Sequence, residues 1–100
     1  MSVGLFWRFR VKDFDSWLNP DPDGLEQMFK QQGMQAYTLH RSIDDPNSVM
    51  FYAQFPDEAT AHAFEAWYKT SSVEYVKQYP GSETEIVMSW VGRDVEGYSR

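Results

Sequence analysis

The sequence predicts one α+β domain whose elements follow the order strand, helix, strand, strand, helix, strand. Three observations carry this prediction. Apolar and polar residues alternate near both ends of the chain, which is typical of strands with two different faces. Two internal segments carry apolar residues at helical spacing. Between these segments, the turn-forming residues 43–48 separate two apolar runs at 37–41 and 49–55.

The four predicted strands follow from periodicity and from this turn. Alternation over residues 3–11 predicts the first strand, and alternation over 82–91 predicts the last. Asp, Pro and Asn in the turn favour a β-hairpin, because Asx side chains bond the local backbone and proline presets φ. The two hairpin strands are therefore predicted at residues 34–42 and 48–55.

The first helical region is predicted in two pieces. Asp13 is placed to cap a short helical turn whose apolar residues reach Leu18. Asp21 is placed to cap a further helix with Pro22 at its first position, because proline has no N–H to leave unpaired there. Gly33 is predicted to end that helix.

The second helical region follows the hairpin. Asp57 is its predicted cap, and Ser71 and Ser72 are predicted to break it before a last helical piece at 73–79. Its apolar stripe is formed by Ala61, Phe64, Trp67 and Tyr68.

This order is that of a ferredoxin-like fold, a four-stranded antiparallel sheet with the helices on one face. The domain is predicted at residues 1–92, with a polar tail at 93–100. The other face of the sheet has no cover from this chain. Because 17% of the residues are aromatic, an uncovered sheet face would expose aromatic side chains to water unless a partner packs on it. A homodimer is therefore expected.

Parity along the strands assigns side chains to the two faces, given a hairpin in which Ser42 pairs with Ser48. A slip of one residue would move His40 from beside Met50 to beside Phe51. The set predicted under the helices is Leu5, Trp7, Phe9, Tyr37, Leu39, Val49, Phe51, Phe55, Ile86, Met88 and Trp90. The set predicted on the uncovered face is Phe6, Arg8, Thr38, His40, Met50, Tyr52, Gln54, Val87 and Ser89.

Composition excludes several classes of function. The net charge of −6 argues against binding to nucleic acid or to anionic membranes. The chain has no cysteine, and its two histidines lack a metal-ligand spacing, so no metal site is expected. No signal peptide and no membrane-spanning run is visible, so a cytoplasmic location is expected.

The mixed uncovered face supplies the candidate site residues. His40 is the candidate for proton transfer, because only histidine titrates unperturbed near neutral pH. Arg8 is the candidate for holding an oxyanion or a carboxylate. The candidates on this face for binding a substrate are Tyr52, Gln54, Phe6 and Thr38. Trp67, on the second helix, and Trp90, in the set under the helices, are further candidates that could form the wall of a pocket.

Each of these residues also has a simpler explanation. His40 could be an ordinary strand histidine, Arg8 a salt bridge between subunits, and Tyr52 an interface side chain. The tryptophans could be packing residues. His62, on the second helix, is expected to be solvated.

Three motifs together resemble a known superfamily. Residues 8–17 read R-F-R-V-K-D-F-D-S-W, residues 44–49 read D-D-P-N-S-V, and residues 61–64 read A-H-A-F. In this order the motifs resemble the small dimeric α/β-barrel proteins, which include antibiotic-biosynthesis monooxygenases and polyketide cyclases. The resemblance implies a homodimer with packed sheet faces that form a barrel, a pocket between the sheet and the helices or within that barrel, and cofactor-independent chemistry on aromatic substrates. Haem-degrading members are a poorer match, because residues 3–11 contain no asparagine and 73–79 contain no histidine.

Three functions therefore stay open. The first is a small cofactor-independent enzyme, a cyclase or monooxygenase, acting on an aromatic or polyketide-like molecule. The second is a binding module that holds a hydrophobic small molecule without chemistry. The third is a structural dimer whose uncovered face is filled by its own side chains.

Overall fold

The elements follow the predicted order in the computed structural model, which describes residues 2–17, 22–78 and 83–98. The predicted cap at Asp21 and the residue Leu18 lie outside the described residues. The fold class is confirmed as ferredoxin-like. The elements are β1 (Val3–Val11), α1 (Phe14–Trp17), α2 (Pro22–Gln31), β2 (Ala36–Arg41), β3 (Ser48–Phe55), α3 (Glu58–Gln78) and β4 (Thr84–Arg93).

The four strands form one antiparallel sheet in the order β2-β3-β1-β4. Alternate residues of β1 and β3 are buried against the helices, as their period of two predicts. Phe64 of α3 is fully buried over this face, with ring contacts to Trp7 and Phe55 at 5.6 and 5.3 Å. We call this side of the sheet the covered face and the other side the open face. The buried core comprises Val3, Leu5, Trp7, Phe9, Val11, Met34, Val49, Phe51, Ala53, Phe55, Ala61 and Phe64.

Local signals fix the ends of the helices. The carboxylate of Asp57 accepts the backbone N–H of Thr60 at 2.7 Å, so the predicted cap of α3 is confirmed. Gly33 follows α2 at φ 92°, and its N–H donates to the carbonyl of Lys30 at 3.0 Å. The N–H of Met34 donates to the carbonyl of Phe29 at 3.3 Å, which completes a Schellman ending.

The predicted break in the second helical region is wrong. Helix α3 runs without interruption from Glu58 to Gln78 and includes Ser71 and Ser72. Serine costs a helix interior only a few tenths of a kcal/mol, about 0.5, so two serines do not end a helix that packs on a sheet.

The hairpin has the predicted register. The N–H of Ser42 donates to the carbonyl of Ser48 at 2.9 Å. His40 therefore lies opposite Met50, and Thr38 lies opposite Tyr52, on the open face. The alternative in which His40 neighbours Phe51 is excluded.

The turn itself is held by its own polar side chains and by its neighbours. Ser42 Oγ accepts the N–H of Asp45 at 3.1 Å, and Arg10 forms a 2.7 Å ion pair with the Asp45 carboxylate. The hydrogen bond that Asp45 accepts from the Asn47 N–H lowers the pKa of this carboxyl, and Arg10 lowers it further. The Arg41 guanidinium stacks 4.2 Å above the ring of Phe14. The register of the hairpin is thus fixed by contacts at its tip as well as by its ladder.

A β-bulge changes the face assignment in β4. Arg8 lies opposite Met88, but the next residue, Phe9, lies opposite Ile86. Val87 is the extra residue of the bulge, so the alternation reverses there. Ile86 keeps its predicted place on the covered face. Met88 does not, because it shares the open face with Arg8.

Two further assignments in β4 are wrong for the same reason. Trp90 lies opposite Phe6 on the open face, although it was predicted under the helices. Ser89 lies opposite Trp7 on the covered face, although it was predicted on the open face. The strand also extends to Arg93, past the predicted end at residue 91.

In the described segments, no helix has the length and apolar character needed to cross a membrane.

Candidate functional site

The open face brings most of the predicted site residues together in two rows across the sheet. One row contains Thr38, Tyr52, Phe6 and Trp90, and the next row contains His40, Met50, Arg8 and Met88. Gln54 lies one row beyond Tyr52, opposite Gly4. Seven of the eight candidates thus share one surface, which the four strands position rigidly.

Three rings form an aromatic cluster on this surface. The ring centroid of Phe6 lies 4.9 Å from that of Tyr52 and 5.4 Å from that of Trp90. Their tilted arrangement is the one that aromatic pairs prefer. Trp90 remains 57% exposed, so the cluster offers a wide apolar surface for a flat ring.

Two glycines lie next to the rings of the aromatic cluster. Gly4 and Gly92 lie opposite each other in β1 and β4. A Cβ atom on Gly4 would lie 2.9 Å from Cε2 of Tyr52, and one on Gly92 would collide with the Trp90 ring. A side chain at either position would therefore displace the neighbouring ring from its present place.

His40 and Arg8 lie on either side of Met50 in the second row. They are two strands apart, which is roughly 10 Å at the usual strand spacing. Both residues are exposed, and Met50 between them is 39% exposed. A ligand lying over Met50 would reach both groups.

Tyr52 keeps its proton over the neutral range. Partial burial raises the pKa of its phenol, and the negative charge of Asp94 raises it further. Tyr52 therefore faces the open side as a hydrogen-bond donor. Sequence reasoning missed Asp94, because this residue follows the predicted end of the last strand.

Trp67 does not belong with the other candidates. Its ring packs on Phe64 at 5.6 Å and on Phe29 at 6.2 Å, between helices α3 and α2 and on the covered side. Trp67 therefore contributes to the core and cannot contact a ligand on the open face.

Apart from the open face, a concave region lies at the outer edge of β4, where this strand meets α3. We call it the edge cleft, and its volume is about 570 Å³. It is lined by Val3, Glu58, His62, Glu65, Ser89, Trp90, Val91, Gly92 and Arg93. Sequence reasoning missed this region, although the spacing of Glu58, His62 and Glu65 places all three on one side of a helix.

Side chains link the edge cleft to the core. Trp7 Nε1 donates to Ser89 Oγ at 2.8 Å, and Ser89 Oγ donates to Glu65 Oε2 at 2.8 Å. Glu65 Oε1 lies 2.8 Å from His62 Nδ1. This bond to Glu65 raises the pKa of His62, and the charges of Glu65 and Glu58 raise it further. Across the described segments, no three His, Asp or Glu side chains are arranged to hold a metal ion.

No protein-family model and no curated protein matches the chain. Solved structures do match it. An antibiotic biosynthesis monooxygenase-type protein from Bordetella bronchiseptica is 14% identical, with a TM-score of 0.64 over 94% of this chain and 97% of that one. SnoaB, a cofactor-independent oxygenase from Streptomyces nogalater, is 16% identical, with a TM-score of 0.59 over 99% and 98% of the two chains.

Two further matches bear on ligands and on assembly. A monooxygenase of Streptomyces coelicolor, the product of ActVA-Orf6 in complex with nanaomycin D, is 20% identical, with a TM-score of 0.58 over 94% and 88%. A dimeric ferredoxin-like protein from an uncultured marine organism is 11% identical, with a TM-score of 0.59 over 91% and 92%. The predicted resemblance is therefore confirmed at the level of structure: this chain has the ferredoxin-like fold of the antibiotic biosynthesis monooxygenase-like proteins.

Proposed function

We propose that this protein is a small cofactor-independent enzyme, a monooxygenase or cyclase, that acts on an aromatic or polyketide-like molecule. The observation that carries the proposal is the juxtaposition on the open face of an aromatic cluster with His40 and Arg8. An apolar surface beside a few convergent polar groups is the usual composition of a small-molecule site.

The proposal includes a homodimer in which two open faces pack together and enclose the pocket. A sheet face that carries Tyr52, Met50, Met88 and Trp90 presents a contiguous apolar area to water, which monomeric proteins rarely do. The dimeric ferredoxin-like protein with this fold supports a dimer.

Each residue of the open face would have its own role in the reaction. His40 would remove a proton from a phenol or an enol of the substrate, and Arg8 would stabilise the oxyanion that results. Tyr52 would donate a hydrogen bond to a substrate oxygen, since its raised pKa keeps it protonated. The aromatic cluster would bind the flat ring. The oxygenases with this fold support the reaction class, and the nanaomycin D complex supports the substrate class.

Oxygen consumption with a dihydroxyanthrone as substrate tests the proposal. Its oxidation by O₂ yields the quinone and one water, so oxygen uptake reports turnover directly. We expect His40→Gln to lower kcat by about 10²-fold or more, as loss of a general base does. Lys30→Gln, which removes an exposed positive charge on α2, should leave turnover unchanged. Full turnover by His40→Gln would disprove the role of this residue.

One observation favours the second candidate, a binding module without chemistry. Among the described residues, no side chain forms a hydrogen bond that orients the ring of His40, whereas a catalytic histidine is normally oriented by such a bond. If the wild-type protein binds the anthrone but consumes no oxygen, this second function is the correct one.

A further inference from the structure

The three rings of the aromatic cluster all lean in one direction along their strands. Atoms Cη2 and Cζ3 of Trp90 lie where a Cβ atom of Gly92 would stand. Cε2 of Phe6 and Cε2 of Tyr52 lie 3.0 and 2.9 Å from the corresponding position at Gly4. The two glycines pair with each other in the next row of the open face, so the rings lean towards this glycine row.

The lean of the rings leaves space on their other side. The row on that side contains His40, Met50, Arg8 and Met88. Neighbouring rows on one face of a sheet are roughly 7 Å apart, because side chains on the same face are separated by two residues of the strand. Rings that lean away from this row widen the gap, which we call the trough. A flat ring system in the trough would contact the aromatic cluster and bring its oxygens to His40 and Arg8.

The aromatic wall of the trough is longer than a single ring. The ring centroid of Phe6 lies 4.9 Å from that of Tyr52 and 5.4 Å from that of Trp90, so the wall extends about 10 Å across three strands. Tyr52 borders the end of the trough on the side of His40, and Trp90 borders the end on β4. A single aromatic ring would fill only one end, whereas three fused rings would need both.

Gly92 keeps the β4 end of the trough open. A Cβ atom at this position would meet the outer end of the Trp90 side chain, so the ring and not the backbone would move. Side chains in strands lean along the strand in one of a few staggered arrangements, and an indole displaced from Gly92 would lean the opposite way. The neighbour on the same face in that direction is Met88. The displaced indole would therefore lie in the trough and close this end.

We propose that Gly92 is a specificity-determining residue, which lets the open face accept a ligand of three fused rings and not only a single ring. It acts by giving the indole of Trp90 a place outside the trough. The inference rests on the proposed function, since the ligand is the aromatic molecule of that site. It concerns binding alone, so it applies both to an enzyme and to a binding module.

Two ligands of different length, measured by calorimetry, test the proposal. One is ortho-hydroxyacetophenone, which has one ring, and the other is the hydroxyanthraquinone whose hydroxyl lies beside a carbonyl, which has three. Both present the same hydroxyl and carbonyl edge to the protein. Gly92→Ala should weaken binding of the three-ring ligand by about tenfold or more, as steric exclusion from an apolar site does, and change one-ring binding by less than about twofold. Retained one-ring binding shows that the variant is folded.

Two further variants separate the indole from other effects of the added methyl group. Gly4→Ala is the matched control, because its Cβ would meet Phe6 and Tyr52, at the part of the trough that both ligands use, and should change both affinities by the same factor. Trp90→Phe removes the outer ring that carries Cη2 and Cζ3, so a Cβ atom at Gly92 then has room. In this background Gly92→Ala should change three-ring binding by less than about twofold, which makes the two positions strongly coupled.

The role of Gly92 is overturned, and the proposed function stands, if the wild-type protein binds both ligands and Gly92→Ala weakens both equally or neither. It is also overturned if Gly92→Ala has the same effect with Phe in place of Trp90. NMR distinguishes these outcomes from failure of the site itself. If the ligands leave the ring signals of His40 and Tyr52 in the wild-type protein unshifted, the open face is not the binding site and both proposals are wrong.

Discussion

The two faces of the sheet carry similar aromatic side chains but in opposite surroundings. On the covered face, Trp7 and Phe51 are at most 5% exposed, because α3 brings Phe64 over Trp7 and α2 brings Phe29 over Phe51. On the open face, Phe6, Tyr52 and Trp90 pack on one another and on glycine, and no described helix covers them. Aromatic content in a strand therefore predicts a surface that will be buried, but not whether the chain itself or a partner buries it.

The largest expected difference between the faces is in stability. Phe64→Ala should lower the free energy of unfolding by about 3–5 kcal/mol, because it leaves a cavity among five neighbouring rings that cannot collapse fully. Phe6→Ala removes a ring of equal size from the open face and should cost only about 1 kcal/mol at concentrations where the protein is monomeric. Urea unfolding measures both. Equal losses would contradict the distinction between the faces.

The next effect concerns association. Met50→Glu places a charge at the centre of the open face and should weaken the proposed dimer by about 10²-fold, since an unpaired charge is costly to bury. Val73→Glu is the matched control, because Val73 is 55% exposed on α3. Light scattering over a dilution series should show monomers for Met50→Glu and dimers for Val73→Glu. A wild-type protein that is monomeric at micromolar concentration would rule out the proposed homodimer.

The smallest expected effect is on the pH dependence of stability, and it arises in the edge cleft, at the boundary between the two faces. The pKa of His62 is raised in the folded state, so its protonated form contributes stability below the unfolded pKa of about 6.5. That contribution is lost as pH rises through the higher folded pKa. Glu65→Gln should lower the folded pKa and flatten this part of the stability profile. An NMR titration of the His62 ring, with urea midpoints at each pH, measures both quantities. An unchanged pKa in Glu65→Gln would contradict the assigned cause.

Much of the fold could be predicted from short-range signals. The cap at Asp57, the ending at Gly33 and the turn at Ser42–Ser48 are local signals that the structure confirms, and together they set the order of elements and the hairpin register. The register placed His40, Thr38 and Tyr52 on the correct face because β2 and β3 pair without irregularity.

The errors arose where a long-range contact decides the outcome. The bulge in β4 could not be seen in a strand whose two alternating sets both contain apolar residues, so Trp90 and Ser89 were exchanged between faces. Trp67 lies apart from the candidates of the open face, and helical periodicity alone does not say which strand lies beneath a residue. The edge cleft depends on Glu65 and Ser89, 24 residues apart in sequence.

The extra residue at Val87 also determines what a change of length in β4 would do. On its N-terminal side Ile86 pairs with Phe9, and on its far side Met88 pairs with Arg8. Deleting the Val87 codon would therefore join the two stretches into a regular ladder, with Trp90 still on the open face and Ser89 still on the covered face. A strand that kept Val87 but paired it regularly would instead reverse every side chain from Met88 onward. While the strand contains Val87, the aromatic cluster thus depends on the bulge and not on the identity of this residue.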